Sequence, residues 1–304
     1  MEIDEILNSN LTKSDKMRRL FDEGKTRKEV ALLLGVGYGF VQNVYAKYFN
    51  NRPLSQEGDF VFNRTFGVEL EIVHGDKRQL RDAIRRRGVA CEIEGYNHAT
   101  RTNWKIVSDA SVIGGYELVS PVLKGERGLA EVKAVCQALE EVNATVNKSC
   151  GFHVHFGTQD FKKDISVWRN LFANYATLEA DIDAFMPPSR RNNRYCASMK
   201  VSNWREKIDS ARNLEQLSRS ITGGCRYFKL NVQSYWRHGT VEFRQHSGTV
   251  EFVKIRNWLL FCARFVDFSK RERLDRGGER ALAKLLDNEL ANFYKQRKNK
   301  FGRR

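Results

Sequence analysis

The chain has 304 residues, of which 41% are hydrophobic and 19 are Phe, enough to bury the core of one large domain beside a small one. No run approaches the roughly 18 consecutive apolar residues of a membrane-spanning helix, and the acidic start lacks the apolar core of a signal peptide. The six Cys show no CxxC spacing, which excludes a zinc ribbon and favours reduced thiols. We therefore expect a cytoplasmic protein with no membrane segment.

The formal net charge of +15 indicates affinity for polyanions, but it is unevenly distributed. Residues 1–52 carry nine Lys or Arg against seven Asp or Glu, whereas residues 270–304 carry twelve against five. The N-terminal part is thus only mildly basic, and the C-terminal tail is strongly basic.

Residues 12–49 predict a compact helical unit. Thr12 or Ser14 can cap a first helix that continues through Phe21, and residues 27–34 and 38–48 predict two more helices around a glycine-containing turn. Two helices joined in this way resemble a helix-turn-helix domain.

In a helix-turn-helix interpretation, four side chains of the third helix would face the major groove of DNA: Tyr38, Gln42, Asn43 and Lys47. The alternative is a small helical bundle that serves protein contact or packing. Because the unit has no strongly basic face, the two alternatives stay equally open.

Residues 60–268 predict alternating strands and helices after a polar, breaker-rich linker at 51–59. The predicted strands are 60–73, 89–93, 104–107, 116–119, 151–157 and a hairpin of 228–236 with 240–245. The predicted helices are 77–87, 128–142, 165–185 and 252–265. Tight hairpins and few crossover helices predict an α+β fold with a mainly antiparallel sheet flanked by helices.

Four of these strands carry charged or imidazole side chains on one face. In the segment 240–249, period-2 alternation places Glu242, Arg244 and His246 on the same side. The same alternation predicts a common face for three further sets: Glu69 with Glu71, His153 with His155, and Glu117. Each pair alone is best explained as the solvent face of an edge strand, but four concordant strands favour one shared concave site.

Four carboxylates in one site would raise one another's pKa unless cations neutralise them. Oxygen ligands with an added imidazole suit Mg²⁺ or Mn²⁺ better than zinc, for which the sequence has no HExxH motif. Such a metal site with nearby arginines is typical of phosphoryl transfer from a nucleotide.

The motifs FGVELE, YELVSP, GFHVHFG and TVEFRQHSGT occur in this order within residues 62–268. Together they resemble the amidoligase family of bacteria and phages, which is related to glutamine synthetase and glutamate–cysteine ligase. The resemblance implies a curved sheet of the glutamine synthetase type and an ATP- and Mg²⁺-dependent ligase that joins a carboxylate to an amine through an acyl phosphate. The resulting domain prediction is a helix-turn-helix-like domain at 1–50, the linker at 51–59, an amidoligase-like domain at 60–268 and a basic helical tail at 269–304.

The resemblance also implies roles for individual residues. Glu71 and Glu117, with Asp109 as a weaker contributor, would hold one cation, and Glu69, His153 and Glu242 would hold the other. Arg244 would steady the transferring phosphoryl group. The remaining candidates are His155 in the pocket, Arg191 and Arg194 for phosphate or substrate carboxylate, Asn231 for substrate or nucleotide, and His246, which either reaches the nucleotide or is structural.

The sequence leaves the acid, the amine and the oligomeric state open, and two other functions compete with the ligase. One is a DNA-binding regulator whose C-terminal domain senses a small anionic ligand. The other is a metal-dependent nuclease or hydrolase that uses the same carboxylates without ATP.

Overall fold

The computed structural model of the chain describes residues 3–23, 25, 27–50, 60–108, 112, 114–161 and 164–302. The helices are α1 Ile3–Asn8, α2 Lys13–Asp22, α3 Arg27–Leu34, α4 Tyr38–Asn50, α5 Lys77–Arg86, α6 Gly125–Glu141, α7 Ile165–Ala184, α8 Trp204–Ser210, α9 Leu214–Thr222, α10 Gln233–His238, α11 Phe252–Ser269, α12 Glu279–Ala283 and α13 Asn288–Gly302. The strands are β1 Thr65–Ile72, β2 Cys91–Glu94, β3 Trp104–Val107, β4 Tyr116–Val119, β5 Leu123–Lys124, β6 Gly151–Gly157, β7 Leu230–Asn231 and β8 Thr240–Ser247.

The strands form one open sheet in the order β2-β3-β4-β1-β6-β8-β7, with β5 paired to the start of β1. Among the eight strands of the described residues, β2 and β3 run parallel and the other paired strands are antiparallel. The predicted α+β class and mainly antiparallel sheet are therefore confirmed, and the parallel edge makes the sheet a mixed one.

One face of the sheet is apolar and is covered by helices α6, α7 and α11. On β8, the Phe243 ring contacts Tyr175 of α7 and Phe265 of α11, with ring centroids 6.0 and 5.9 Å apart. At α6 the approach is so close that a Cβ at Gly128 would lie 2.8 Å from the ring of Phe66. Because strand side chains alternate, the opposite face of the same strands is left for polar groups.

The predicted strand at 228–236 is wrong over most of its length. Strand β7 is limited to Leu230 and Asn231, which pair with Phe243 and Glu242 of β8, and the chain then enters helix α10. The Asn231 side-chain oxygen accepts the backbone N–H of Gln233 at 2.8 Å, a local bond that starts a helical turn in place of a continued strand. The short elements α1, α8, α9 and β5 were not predicted.

The N-terminal helices α1 to α4 enclose a small core of their own, which consists of Ile6, Met17, Leu20, Phe21, Val30, Val41, Val44 and Tyr45. The predicted cap at Thr12 is confirmed, since its Oγ1 accepts the backbone N–H of Asp15 at 3.1 Å. This unit packs against the rest of the chain through Arg27 and Tyr38, which both contact Glu140 at the end of α6. The predicted linker at 51–59 lies outside the described residues.

Within the described ranges, no helix is both long and apolar enough to cross a membrane.

Candidate functional site

Five adjacent strands bring the predicted site residues together on the polar face of the sheet. The strand order β4-β1-β6-β8-β7 makes each charged strand the neighbour of the next. The register pairs Glu71 with Glu117, Glu69 with His153, His155 with Glu242, and Asn231 with Glu242. Directly opposed residues point to the same side of a sheet, so the predicted shared surface exists.

Above this face lies a cavity of about 1010 Å³. Nine of the predicted site residues line it: Glu69, Glu71, Glu117, His153, His155, Arg194, Asn231, Glu242 and Arg244. Two predicted residues, Arg191 and His246, do not line it.

Glu69 is at the centre of the cluster. Its Oε2 lies 3.2 Å from Nδ1 of His153, and its Oε1 lies 3.2 Å from Nε2 of His155. Burial alone would raise the pKa of Glu69, but the charge of His155 and the hydrogen bonds to both imidazoles hold this pKa well below its usual value. For His155, burial alone would lower the pKa. The charges of Glu69 and Glu242 outweigh burial, so that the pKa of His155 is raised. Each partner thus stabilises the charged form of the other.

Glu242 is buried between an amide and a guanidinium. Its Oε2 accepts Nδ2 of Asn231 at 2.5 Å, and its Oε1 accepts a guanidinium N–H of Arg244. Burial would raise the pKa of Glu242, but the charges of Arg244 and His155 lower it. The Arg244 guanidinium also lies 5.7 Å from the ring centre of Tyr227, so it is held at the cavity wall.

Two groups of side chains place their ligand atoms within 4.8 Å of one another: Glu69, Glu117 and His153, and Glu69, His155 and Glu242. Each group combines two carboxylates with one imidazole, a donor set that fits Mg²⁺ or Mn²⁺. The grouping differs from the predicted sets, because Glu69 belongs to both and Glu71 to neither. The Oε2 atom of Glu71 instead accepts the backbone N–H of Gly151 at 2.6 Å. Asp109 lies outside the described residues.

The predicted alternation fails at His246 because β8 contains a bulge. The register with β6 shifts between Phe152, which faces His246, and Val154, which faces Phe243. An extra residue in one strand reverses the faces that follow it. His246 therefore packs among the core aromatics Phe152 and Trp258, where burial lowers its pKa well below the usual value.

The arginines of the cationic loop after Pro188 differ in their contacts. Arg191 donates to the backbone oxygens of Met186 and Phe301, at 3.0 and 2.9 Å. Arg194 lines the cavity and stacks over the ring of Tyr195, 4.7 Å from its centre. Arg190, which the sequence analysis did not single out, is buried and donates to the backbone oxygens of Arg244 and Gln245 at the bulge.

Sequence reasoning missed a further set of cavity residues that lie outside the strands: Tyr96, His98, Lys148, Arg226, Tyr227, Trp236, Arg237 and His238. The run of Trp236, Arg237 and His238 before Gly239 was a usable signal, since an exposed indole next to two basic groups is typical of a binding rim. The mistaken strand at 228–236 concealed it.

Residues 62–266 match the protein family described as "Putative amidoligase enzyme". The match spans more than half of the chain and includes every strand that carries the cluster. The chain belongs to this family of ligases, as the four motifs predicted. No match was found among curated proteins.

Proposed function

We propose that this protein is an ATP- and Mg²⁺-dependent carboxylate–amine ligase that works through an acyl phosphate, with a sheet of the glutamine synthetase type. The observation that carries the proposal is the convergence of Glu69, Glu117, Glu242, His153 and His155 beside Arg244 in one cavity. Family membership makes amide-bond formation the reaction to expect from such a site.

In the proposed reaction, an oxygen of the acid substrate attacks the γ-phosphorus of ATP, and the bond to the bridging oxygen of ADP breaks. The amine nitrogen then attacks the acyl carbon, the carbon–oxygen bond to phosphate breaks, and the nitrogen gives its proton to solvent. Bound Mg²⁺ would supply neutralising charge to the phosphate oxygens.

The site residues would bind the metal ions, stabilise the transferring phosphoryl group and hold the substrates. Glu69 would join both metal groups, with Glu117 and His153 on one side and His155 and Glu242 on the other. Arg244, fixed by Glu242, would face the transferring phosphoryl group and stabilise the charge that develops there. Arg194 would hold a phosphate or the substrate carboxylate, because its guanidinium lines the same cavity.

Isothermal titration with a non-hydrolysable ATP analogue, with and without Mg²⁺, tests this proposal. We expect Mg²⁺-dependent binding, weakened about tenfold or more by Glu242→Gln, which removes the charge of a metal ligand but keeps its shape. The exposed Glu279 offers a matched control, since Glu279→Gln makes the same chemical change far from the cavity. Absence of nucleotide binding in the unaltered protein would reject the ligase proposal.

The hydrolase alternative would use the same carboxylates without nucleotide, so the same titration separates it from the ligase. DNA binding through residues 12–49 also stays a prediction. Of the four side chains predicted to face a groove, Tyr38 donates its hydroxyl to Glu140 of α6, whereas Asn43 and Lys47 are exposed.

A further inference from the structure

A second compartment of about 340 Å³ lies along the same sheet face, beyond His155 towards the start of β1. It meets the main cavity at six residues that line both: Glu69, His98, Glu117, His155, Arg237 and His238. The inner end of this compartment is thus formed by two of the carboxylates assigned to the metal cluster. Its volume is within the range of small-molecule sites.

The space exists because the middle of β1 carries no side chain on this face at Gly67. The backbone there does not require glycine, since its φ lies outside the left-handed region. A Cβ on Gly67 would lie 3.6 Å from Oγ of Ser120 and 3.8 Å from Cβ of His155, both ordinary contacts. Alanine would therefore fit, and a longer side chain would project into the compartment.

The two compartments differ in charge. The main cavity is lined by six cationic side chains, Lys148, Arg190, Arg194, Arg226, Arg237 and Arg244, against the four carboxylates of Glu69, Glu71, Glu117 and Glu242. The second compartment has Arg237 and Lys105 against Glu69 and Glu117, and Lys105 is engaged by three oxygens of Asn97 and Ala99, at 2.8 to 3.1 Å. Anionic nucleotide and acid therefore favour the main cavity.

Apart from Lys105 and the six junction residues, the residues that line the second compartment are uncharged, with apolar, hydroxyl and amide side chains. Val119, Pro121 and Val122 line one side, and Val122 is 65% exposed at the outer rim. A ligand suited to these surroundings has a small apolar body and a head without negative charge at the junction.

We propose that the second compartment binds the amine substrate, a primary amine on a short apolar carbon group, with its nitrogen at the junction of the two cavities. This inference rests on the proposed ligase function and adds to it the place and the chemical class of the nucleophile. The amine would thus enter from a compartment other than the one that holds the nucleotide.

Saturation-transfer NMR of the full-length protein with n-butylamine, in the presence of Mg²⁺ and the non-hydrolysable ATP analogue, tests the assignment. We expect a saturable signal from the unaltered protein. Gly67→Leu should lower the affinity for n-butylamine about tenfold or more, because the added side chain occupies the site. Gly67→Ala should retain it. Butyrate, which has the same carbon chain with an anionic head, should not compete.

A second variant keeps the test decisive if Gly67→Leu does not fold. Val122→Lys places a cation at the outer opening of the compartment and should weaken the binding of n-butylamine. Val122→Thr is the neutral control. Unchanged amine binding in Val122→Lys and in a folded Gly67→Leu, or equal competition by butyrate, would overturn the assignment. Titration with the ATP analogue alone separates this failure from failure of the ligase proposal, since Gly67 and Val122 line the second compartment and not the main cavity.

Discussion

The two faces of the central sheet are both buried, but they are stabilised in different ways. Glu242 and Phe243 are consecutive residues of β8 and are 4% and 0% exposed. Phe243 packs among aromatic rings, whereas Glu242 is held by Asn231 and Arg244. Burial therefore does not distinguish the candidate site from the core, and the chemistry of the partners does.

A buried charged group needs partners that offset its lost hydration, and the cavity face supplies them as a network of anions, imidazoles and guanidinium. Such a network is costly if its only role is stability, because apolar groups of the same size stabilise a fold at least as well. Its concentration on one face, with an open cavity above it, is what indicates a binding function.

The largest stability effect is expected on the apolar face. Phe243→Ala should lower the free energy of unfolding by about 3–5 kcal/mol, because it leaves a cavity among rings that cannot close over it. Chemical denaturation followed by circular dichroism measures the change. The neighbouring Glu242→Gln should cost clearly less stability, and an equal loss in both variants would contradict the distinction between the faces.

A charged cluster near α7 sharpens the comparison, since it lies away from the cavity. Lys229 is 0% exposed and its Nζ lies 3.1 Å from Glu179 and 2.8 Å from Asp183. Lys229→Met should lower the free energy of unfolding by about 3 kcal/mol, because it leaves two acidic groups without their cation. The same denaturation measurement applies, and adding Asp183→Asn should recover part of the loss. If Lys229→Met alone left stability unchanged, the cluster would have no structural role.

The smallest effect is expected at the surface. Burial would raise the pKa of Asp160, but hydrogen bonds from Arg64 and Lys270 lower it from 3.8 to about 2. A lowered pKa means that the charged group stabilises the fold at neutral pH and that this contribution is lost as the pH falls from about 4 to about 2.

Asp160→Asn should therefore cost at most about 1 kcal/mol at pH 7, since the side chain is partly exposed and screened by solvent. Urea denaturation at pH 7 and pH 2 checks this, and the difference between Asp160→Asn and the unaltered protein should shrink at the lower pH. A difference that grows on acidification would show that the ion pairs of Asp160 do not stabilise the fold.

Local pattern predicted much of the fold. The strands at 104–107, 116–119 and 151–157 have the predicted bounds, because apolar alternation and flanking glycine or proline act within a few residues. Except for His246, the face of each predicted strand residue of the site followed from the same alternation, and the shared site followed from their concordance.

What the sequence did not reveal depends on contacts between distant segments. The bulge that turns His246 into the core arises from pairing with β6, and the regrouping around Glu69 depends on four strands, β4, β1, β6 and β8, meeting in register. The helix after Asn231 was within reach of prediction, because an Asn side chain that bonds two residues ahead is a local signal. The second compartment follows from an absent side chain, which a search for functional groups passes over.

The position of Glu69 has a thermodynamic consequence. Each of its two oxygens already faces an imidazole, and both proposed ion groups depend on it. If ions occupy these groups as proposed, an ion that enters either one takes over a contact that His153 or His155 now makes with Glu69. Occupation of one group would then change the affinity of the other through a single shared carboxylate.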